Sequence, residues 1–140
     1  MSEAAAGECE AQRHRWPIRV YYEDTDAGGI VYYANYLKFA ERARTEMLRQ
    51  AGFDHGRLLK EHGVLIVVRR CALDCHAPAQ LDDDLEVRSR IVTMGGASFS
   101  IRQEICRSET LLAALEVRLA CVDADMRPAR LPHGLKLALI

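Results

Sequence analysis

One stretch limits the folds open to this chain. From residue 36 onward, apolar or small side chains fall at Tyr36, Leu37, Ala40, Ala43, Met47, Leu48 and Ala51. This is the i, i+3, i+4, i+7 spacing of a helix that buries one stripe. Lys38, Arg42, Arg49 and Gln50 lie mostly off that stripe. Asn35 is placed to cap the start and Gly52 to end the helix at C′, giving about four to five turns. No other segment of the 140 residues reads as a long helix. The chain therefore has one greasy helix and must cover it with something else.

That something reads as sheet. Residues 17–22, PIRVYY, are β-branched and aromatic, with Pro17 where a first strand residue tolerates proline. Four further runs follow the helix, over 63–75, 84–92, 98–106 and 111–123, separated by short turn-rich segments. Leu85, Val87, Ser89 and Ile91 alternate with Glu86, Arg88 and Arg90, and Phe99, Ile101, Gln103 and Ile105 alternate with Ser100, Arg102 and Glu104. Period-2 runs joined by short turns point to an antiparallel meander with one covered face. The LLAALEV segment in the last run is also compatible with helix on propensity alone. The end, from Asp123, reads as a turn and a short, poorly defined tail. The fold class expected is α+β, with an antiparallel sheet of about five strands wrapped round one long central helix. The sequence divides into a disordered tail over 1–15 and a single domain over 16–140, a length that suits one core.

Composition narrows the functional classes. Apolar residues make up 49%, charged residues 28%, and the net charge is -1, which gives no footprint for nucleic acid and no sign of intrinsic disorder. The opening MSEAAAGECEAQRHRW lacks the apolar core of a signal peptide or membrane span. A soluble cytoplasmic protein is expected. Five cysteines, an odd number in such a chain, argue for reduced thiols. Cys71, Leu73 and Cys75 alternate onto one strand face, as small buried hydrophobes do.

The segment that can carry chemistry is YEDTDAGGIVYYANY, residues 22–36. A helix N-terminus offers unpaired N–H groups and a positive dipole end. The Gly28-Gly29 pair allows backbone conformations and close approaches that a side chain forbids. A carboxylate four residues before Ile30-Val31 can sit at the edge of an apolar pocket. Two readings stay open on these residues. Asp24 and Asp26 either make a turn only, or Asp26 serves as nucleophile or general base on a carbonyl while an N–H near Tyr33 holds the oxyanion.

The longer stretch YYEDTDAGGIVYYANYLKFAERARTEML, residues 21–48, resembles the signature of hot-dog-fold acyl-CoA thioesterases of the 4-hydroxybenzoyl-CoA thioesterase type, especially the bacterial branch linked to the Tol-Pal envelope system. The likeness continues through APAQLDDDLEV (77–87) and CVDADMRPARLP (121–132) and covers nearly the whole chain after about residue 16. It implies Asp26, rather than Asp24, as nucleophile or general base, the Tyr33 N–H as the group that polarises the thioester carbonyl, and Tyr22 as a residue lining the site. It also implies a sheet wrapped round a long helix, and sites formed between subunits of a homodimer that often pairs into a homotetramer. Many members of the Tol-Pal-linked branch carry a catalytic histidine where this chain has Tyr33, whereas the 4-hydroxybenzoyl branch has tyrosine there. A side-chain acid or base role is thereby put in question at this position, but any non-proline residue supplies the N–H.

Other candidates are weaker. Glu41 follows Leu37 by one turn and reads as a helix glutamate facing solvent or pairing with Arg44. Cys71, Cys75 and His76 match no standard zinc spacing. Arg69, Arg70, Arg88, Arg90, Arg102 and Arg107 could face the phosphates of coenzyme A. His14, His55, His62 and His133 read as surface residues. The expected function is hydrolysis of an acyl-CoA or acyl-carrier-protein thioester with no cofactor, metal or nucleic acid. A non-hydrolytic acyl-CoA or acyl-carrier-protein binding module is the alternative, and dehydration of an acyl thioester a more distant one.

Overall fold

The computed structural model describes Cys9 and residues 14–140. Strand β1 (His14–Arg19) leads through a 3₁₀ turn over Tyr22–Asp24 into helix α1 (Ala34–Gln50). A short helix α2 (His55–Arg57) runs on into a π turn over Leu58–His62. Four strands follow, β2 (Leu65–Cys75), β3 (Asp84–Met94), β4 (Ser98–Arg107) and β5 (Thr110–Val122), and helix α3 (His133–Leu139) closes the chain. All strand pairs are antiparallel, in the order β1-β3-β4-β5-β2. The α+β sheet of five strands around one long helix is thus present as expected.

The packing follows from side-chain size. α1 buries Tyr36, Phe39, Ala40, Ala43, Met47 and Leu48, and its two alanines let the sheet approach the helix backbone. At that approach Gln103 of β4, fully buried, donates from Nε2 to the Ala40 carbonyl and to Ser89 Oγ, both at 3.0 Å, and accepts from Arg44 Nη1 at 2.9 Å. A buried amide costs free energy unless paired, and here the Ala40 and Arg44 bonds tie α1 to the sheet while the Ser89 bond joins β4 to β3. At the far end the Gly52 N–H donates to Arg49 O and the Phe53 N–H to Leu48 O, with Gly52 at φ +88°. These two bonds make a Schellman motif with glycine at C′.

Several boundaries depart from the sequence reading. β1 runs over His14–Arg19 rather than 17–22, so it includes two residues assigned to the tail; residues 1–8 and 10–13 lie outside the described residues. Tyr21 and Tyr22 leave the strand because the Asp24 carboxylate draws the Tyr21 N–H into the 3₁₀ turn at 2.9 Å. Pro17 is mid-strand, opposite Glu86, which an edge strand permits. Asn35 is not the N-cap; Tyr33 is, and Asn35 lies inside α1. The tail contains α3, whose Leu135 and Leu139 are buried one turn apart. Pro132 and Gly134 read as breakers, but Pro132 caps this helix and Gly134 lets Phe53 approach to 3.1 Å from where a Cβ would stand. Cys71 and Cys75 are exposed, because β2 is an edge strand with no neighbour on that side among the described residues. Cys9 and Cys106 form a disulfide, so not all five cysteines are reduced thiols.

Candidate active site

The loop between β1 and α1 is organised by Asp24. Its carbonyl accepts from the Tyr32 N–H at 3.0 Å and from Asn35 Nδ2 at 2.8 Å, while its carboxylate holds Tyr21. Asp24 and Asn35 are both buried. Of the two aspartates, Asp24 is therefore a bracket that binds the loop to the first turn of α1.

Asp26 starts a small hairpin. Thr25 bridges to Val31, the Asp26 N–H donates to Ile30 O at 2.8 Å, and the Gly29 N–H donates to Asp26 O at 3.0 Å. The three-residue loop Ala27-Gly28-Gly29 closes on Gly29 at φ +81°, the left-handed residue that such loops require. The Gly28 N–H donates to Asp26 Oδ1 at 2.8 Å, and a Cβ at Gly28 would stand 3.3 Å from that oxygen. One carboxylate oxygen is thus held by an amide. The Asp26 side chain is exposed.

The hairpin is sewn to the segment after β2. The Val31 N–H donates to Ala79 O at 2.8 Å, Ile30 bridges to Gln80, and the Ala79 N–H donates to Tyr36 Oη at 3.1 Å. Burial pushes the Tyr36 phenol up, so it remains a neutral hydroxyl. At the helix mouth, Asn35 and Tyr36 spend their amides on the Tyr32 and Tyr33 carbonyls at 2.8 and 3.1 Å. The Tyr33 N–H has no backbone acceptor among the described residues and stands at the positive end of the helix dipole.

Beside that mouth is an open cleft of about 290 Å³, lined by Ile30, Val31, Tyr33, Tyr36, His76 and Pro78 among others. Tyr33 is therefore on the cleft wall. Asp26 is not part of the lining and lies on the adjoining hairpin, and Tyr22, 82% exposed, projects from the 3₁₀ turn into solvent. The structure gathers the loop, the hairpin and the helix mouth into one hydrogen-bonded unit whose outer surface is open. Asn35 and Tyr36 hold that unit together and were not singled out from sequence as site residues. In the sequence Asn35 reads as a helix cap and Tyr36 as the start of the apolar stripe, neither of which marks a bond to the loop.

Residues 20–139 match the model of the Thioesterase-like superfamily. The chain belongs to that superfamily. Its fold is the hot-dog fold of these thioesterases. The chain is 50% identical over 123 residues to the acyl-CoA thioester hydrolase YbgC of Escherichia coli O6:H1, a match covering 86% of this chain and 91% of that protein. It is 44% identical over 124 residues to the acyl-CoA thioesterase YbgC of Haemophilus influenzae, covering 88% and 91% respectively. The crystal structure of a probable thioesterase from Bartonella henselae superposes with a TM-score of 0.81 at 38% identity, over 85% of this chain and 98% of that one.

Within this hot-dog thioesterase chain the remaining candidates separate. Glu41 is exposed and accepts from Thr45 Oγ1 at 2.8 Å, while Arg44 turns to Gln103 instead. Together they stand at an apolar slot of about 100 Å³ between α1 and the β2 edge, floored by Leu48, Ile66, Phe99 and Leu119. Three of the six arginines are in carboxylate ion pairs: Arg88 with Glu86 and Glu109, Arg102 with Glu104 and Glu116, and Arg107 with Asp83. Arg90 also has an interaction partner, and Arg69 and Arg70 are exposed. His55, His62 and His133 are on the surface, but His14 is buried, contrary to expectation, because β1 begins earlier and packs it against the end of α1.

Proposed function

We propose that this chain hydrolyses an acyl thioester of coenzyme A, or of a carrier protein's phosphopantetheine arm, to free acid and thiol. Asp26 attacks the thioester carbonyl or activates the water that does, and the Tyr33 N–H with the α1 dipole holds the oxyanion. The observation that carries this reading is the Tyr33 amide, without a backbone acceptor among the described residues, on a cleft wall two residues past a hairpin that leaves one Asp26 oxygen outside the Gly28 contact. A donor so placed is worth about a hundredfold to a thousandfold in rate. The names of the E. coli and H. influenzae relatives support the same reaction. The reading uses no metal and no cofactor, and it keeps the cytoplasmic location expected from the sequence.

The reading also requires a second copy of the chain. Tyr22 and Tyr33 are 82% and 58% exposed, and Leu37 and Val68 are 42% and 48% exposed along α1 and the β2 edge. Apolar side chains beside an unpaired strand are a surface for another chain. A homodimer, or a homotetramer built from it, covers this surface and closes the cleft over the acyl group, with Tyr22 along its rim.

Thiol release from a panel of short, long and aromatic acyl-CoAs tests the reaction. Wild-type protein is expected to liberate thiol, and Asp26→Asn to lose at least about a thousandfold in turnover while its circular dichroism is unchanged. Near-normal turnover in Asp26→Asn overturns the assignment. A second reading, a non-hydrolytic acyl-thioester binding module, draws on the position of Asp26 outside the cleft. It predicts retained acyl-CoA and no thiol from the wild-type protein.

A further inference from the structure

The cleft at the mouth of α1 contains an ionisable group that this reaction leaves idle. β2 ends at Cys75, and there the amides of His76 and Ala77 both donate to the Leu112 carbonyl, at 2.8 and 3.1 Å. Two successive amides on one carbonyl turn the chain out of the ladder. After that turn His76 is half-buried on the wall of the cleft that Tyr33 also lines. Its imidazole makes no hydrogen bond among the described residues. The rest of the wall is apolar or neutral: Ile30, Val31, Ala77 and Pro78, the phenols of Tyr33 and Tyr36, and the Cys75 thiol. Burial, with the charge of Asp74 adding to it, pushes the Cys75 thiol up, so that group stays protonated and does not exchange protons near neutrality. The charged groups nearest behind Tyr36 are Asp83 and Arg107, which are paired with each other.

Thioester hydrolysis includes a proton transfer to the departing sulfur, for which the roles given above to Asp26 and the Tyr33 amide name no donor. When the C–S bond breaks, sulfur leaves with the bonding electron pair, and an unprotonated thiolate is itself a good nucleophile toward the acyl carbon. Imidazole is the side chain suited to move such a proton near neutral pH. We propose that His76 is the general acid of this reaction, protonating the departing sulfur. The assignment rests on the thioesterase reading above. In the water route, a C–O bond forms to the water oxygen and Asp26 takes the water proton. The tetrahedral species then expels sulfur, which takes the Nε2 or Nδ1 proton of the His76 imidazolium. The proton on Asp26 returns to His76 through solvent, so the net change is addition of one water across the C–S bond.

Leaving-group dependence tests this directly. Coenzyme A is a weakly acidic thiol whose departure is assisted by a proton, whereas 4-nitrothiophenol leaves readily as its anion. His76→Gln is expected to lower kcat/KM at least about tenfold on the acyl-CoA turned over fastest in the panel. The same variant should stay within about twofold of wild type on the 4-nitrothiophenyl thioester of the same acid, and should lose the alkaline limb of the wild-type pH profile. His76→Ala serves as the second variant, and thermal melts check both folds. Wild-type turnover and an inactive Asp26→Asn, together with equal loss or no loss on the two thioesters in both His76 variants, overturn the His76 assignment alone. Absence of thiol release from the wild type overturns the reaction and the assignment together.

Discussion

Two aspartates, two residues apart, end in opposite environments because of what their oxygens meet. Asp24 is buried with its carbonyl and carboxylate both engaged, while Asp26 is exposed with only Oδ1 held by an amide. The sequence left the choice between them open, since the contact that decides it, Asn35 Nδ2 to Asp24 O, spans eleven residues. Periodicity records which residues share a face; it does not record a side chain reaching back from a helix to a loop. Asn35→Ala is the test at this scale. It removes one of two donors from a buried carbonyl, with an expected loss of about 1–3 kcal/mol in urea unfolding. Because the same bond docks the loop bearing Asp26 to the helix bearing the Tyr33 amide, thiol release should fall more than fivefold at a temperature where the variant is fully folded. Full stability and full turnover in that variant would make the bracket irrelevant to the site.

Elements with strong periodicity were legible, and those decided by a few long-range contacts were not. α1 and β2 to β5 lie within about two residues of the segments read from sequence because their apolar spacing repeats over several turns or pairs. The N-terminal strand moved toward the terminus because the Asp24 turn took its last two expected residues. The C-terminal helix went unread because Pro132 and Gly134 act there as a cap and a point of close approach. The shift of β1 brings His14, 8% exposed, against the end of α1, with neither ring nitrogen within good hydrogen-bond geometry of a partner among the described residues. Burial holds its pKa below the usual value of 6.5, and nearby Gln50 and Glu46 only partly oppose that. The sign follows from proton counting. The unfolded chain binds this proton more readily than the native one, so the contribution of neutral His14 is complete above pH 6.5 and is lost as pH falls through the lowered native pKa. Stability between pH 7.5 and 5 should therefore decline with a slope of at most about 1.4 kcal/mol per pH unit from this group. His14→Leu should flatten that slope in urea midpoints measured across the range, and an unaltered slope would assign the pH dependence elsewhere.

At the scale of the whole molecule, the sheet is closed on one edge and open on the other. β1 is short and carries Pro17, which blunts its edge for further pairing. β2 is eleven residues long and, among the described residues, pairs only with β5 and leaves its other side unpaired. Val68 lies on this strand and Leu37 on the neighbouring face of α1; with the Arg44 and Glu41 stems they bound a shallow hollow of about 330 Å³. The apolar slot beneath Val68 opens at the same place. An edge of this length without a proline, although Arg69, Arg70 and a register shift lie at its centre, has room on either side of them to pair with its own copy, and a two-fold axis there would set each α1 beside the other chain. The proposed cleft would then be complete only in the pair, which accounts for Asp26 and Tyr22 standing in the open in one chain. Val68→Glu places a charge in that surface while touching little of the internal core. It is expected to shift the sedimentation coefficient from that of a multimer to that of a single chain at micromolar concentration, and to lower thiol release at least about tenfold. Monomeric wild-type protein with full turnover would remove the second copy from the site, and a Val68→Glu variant that stays multimeric and active would move the interface to another face.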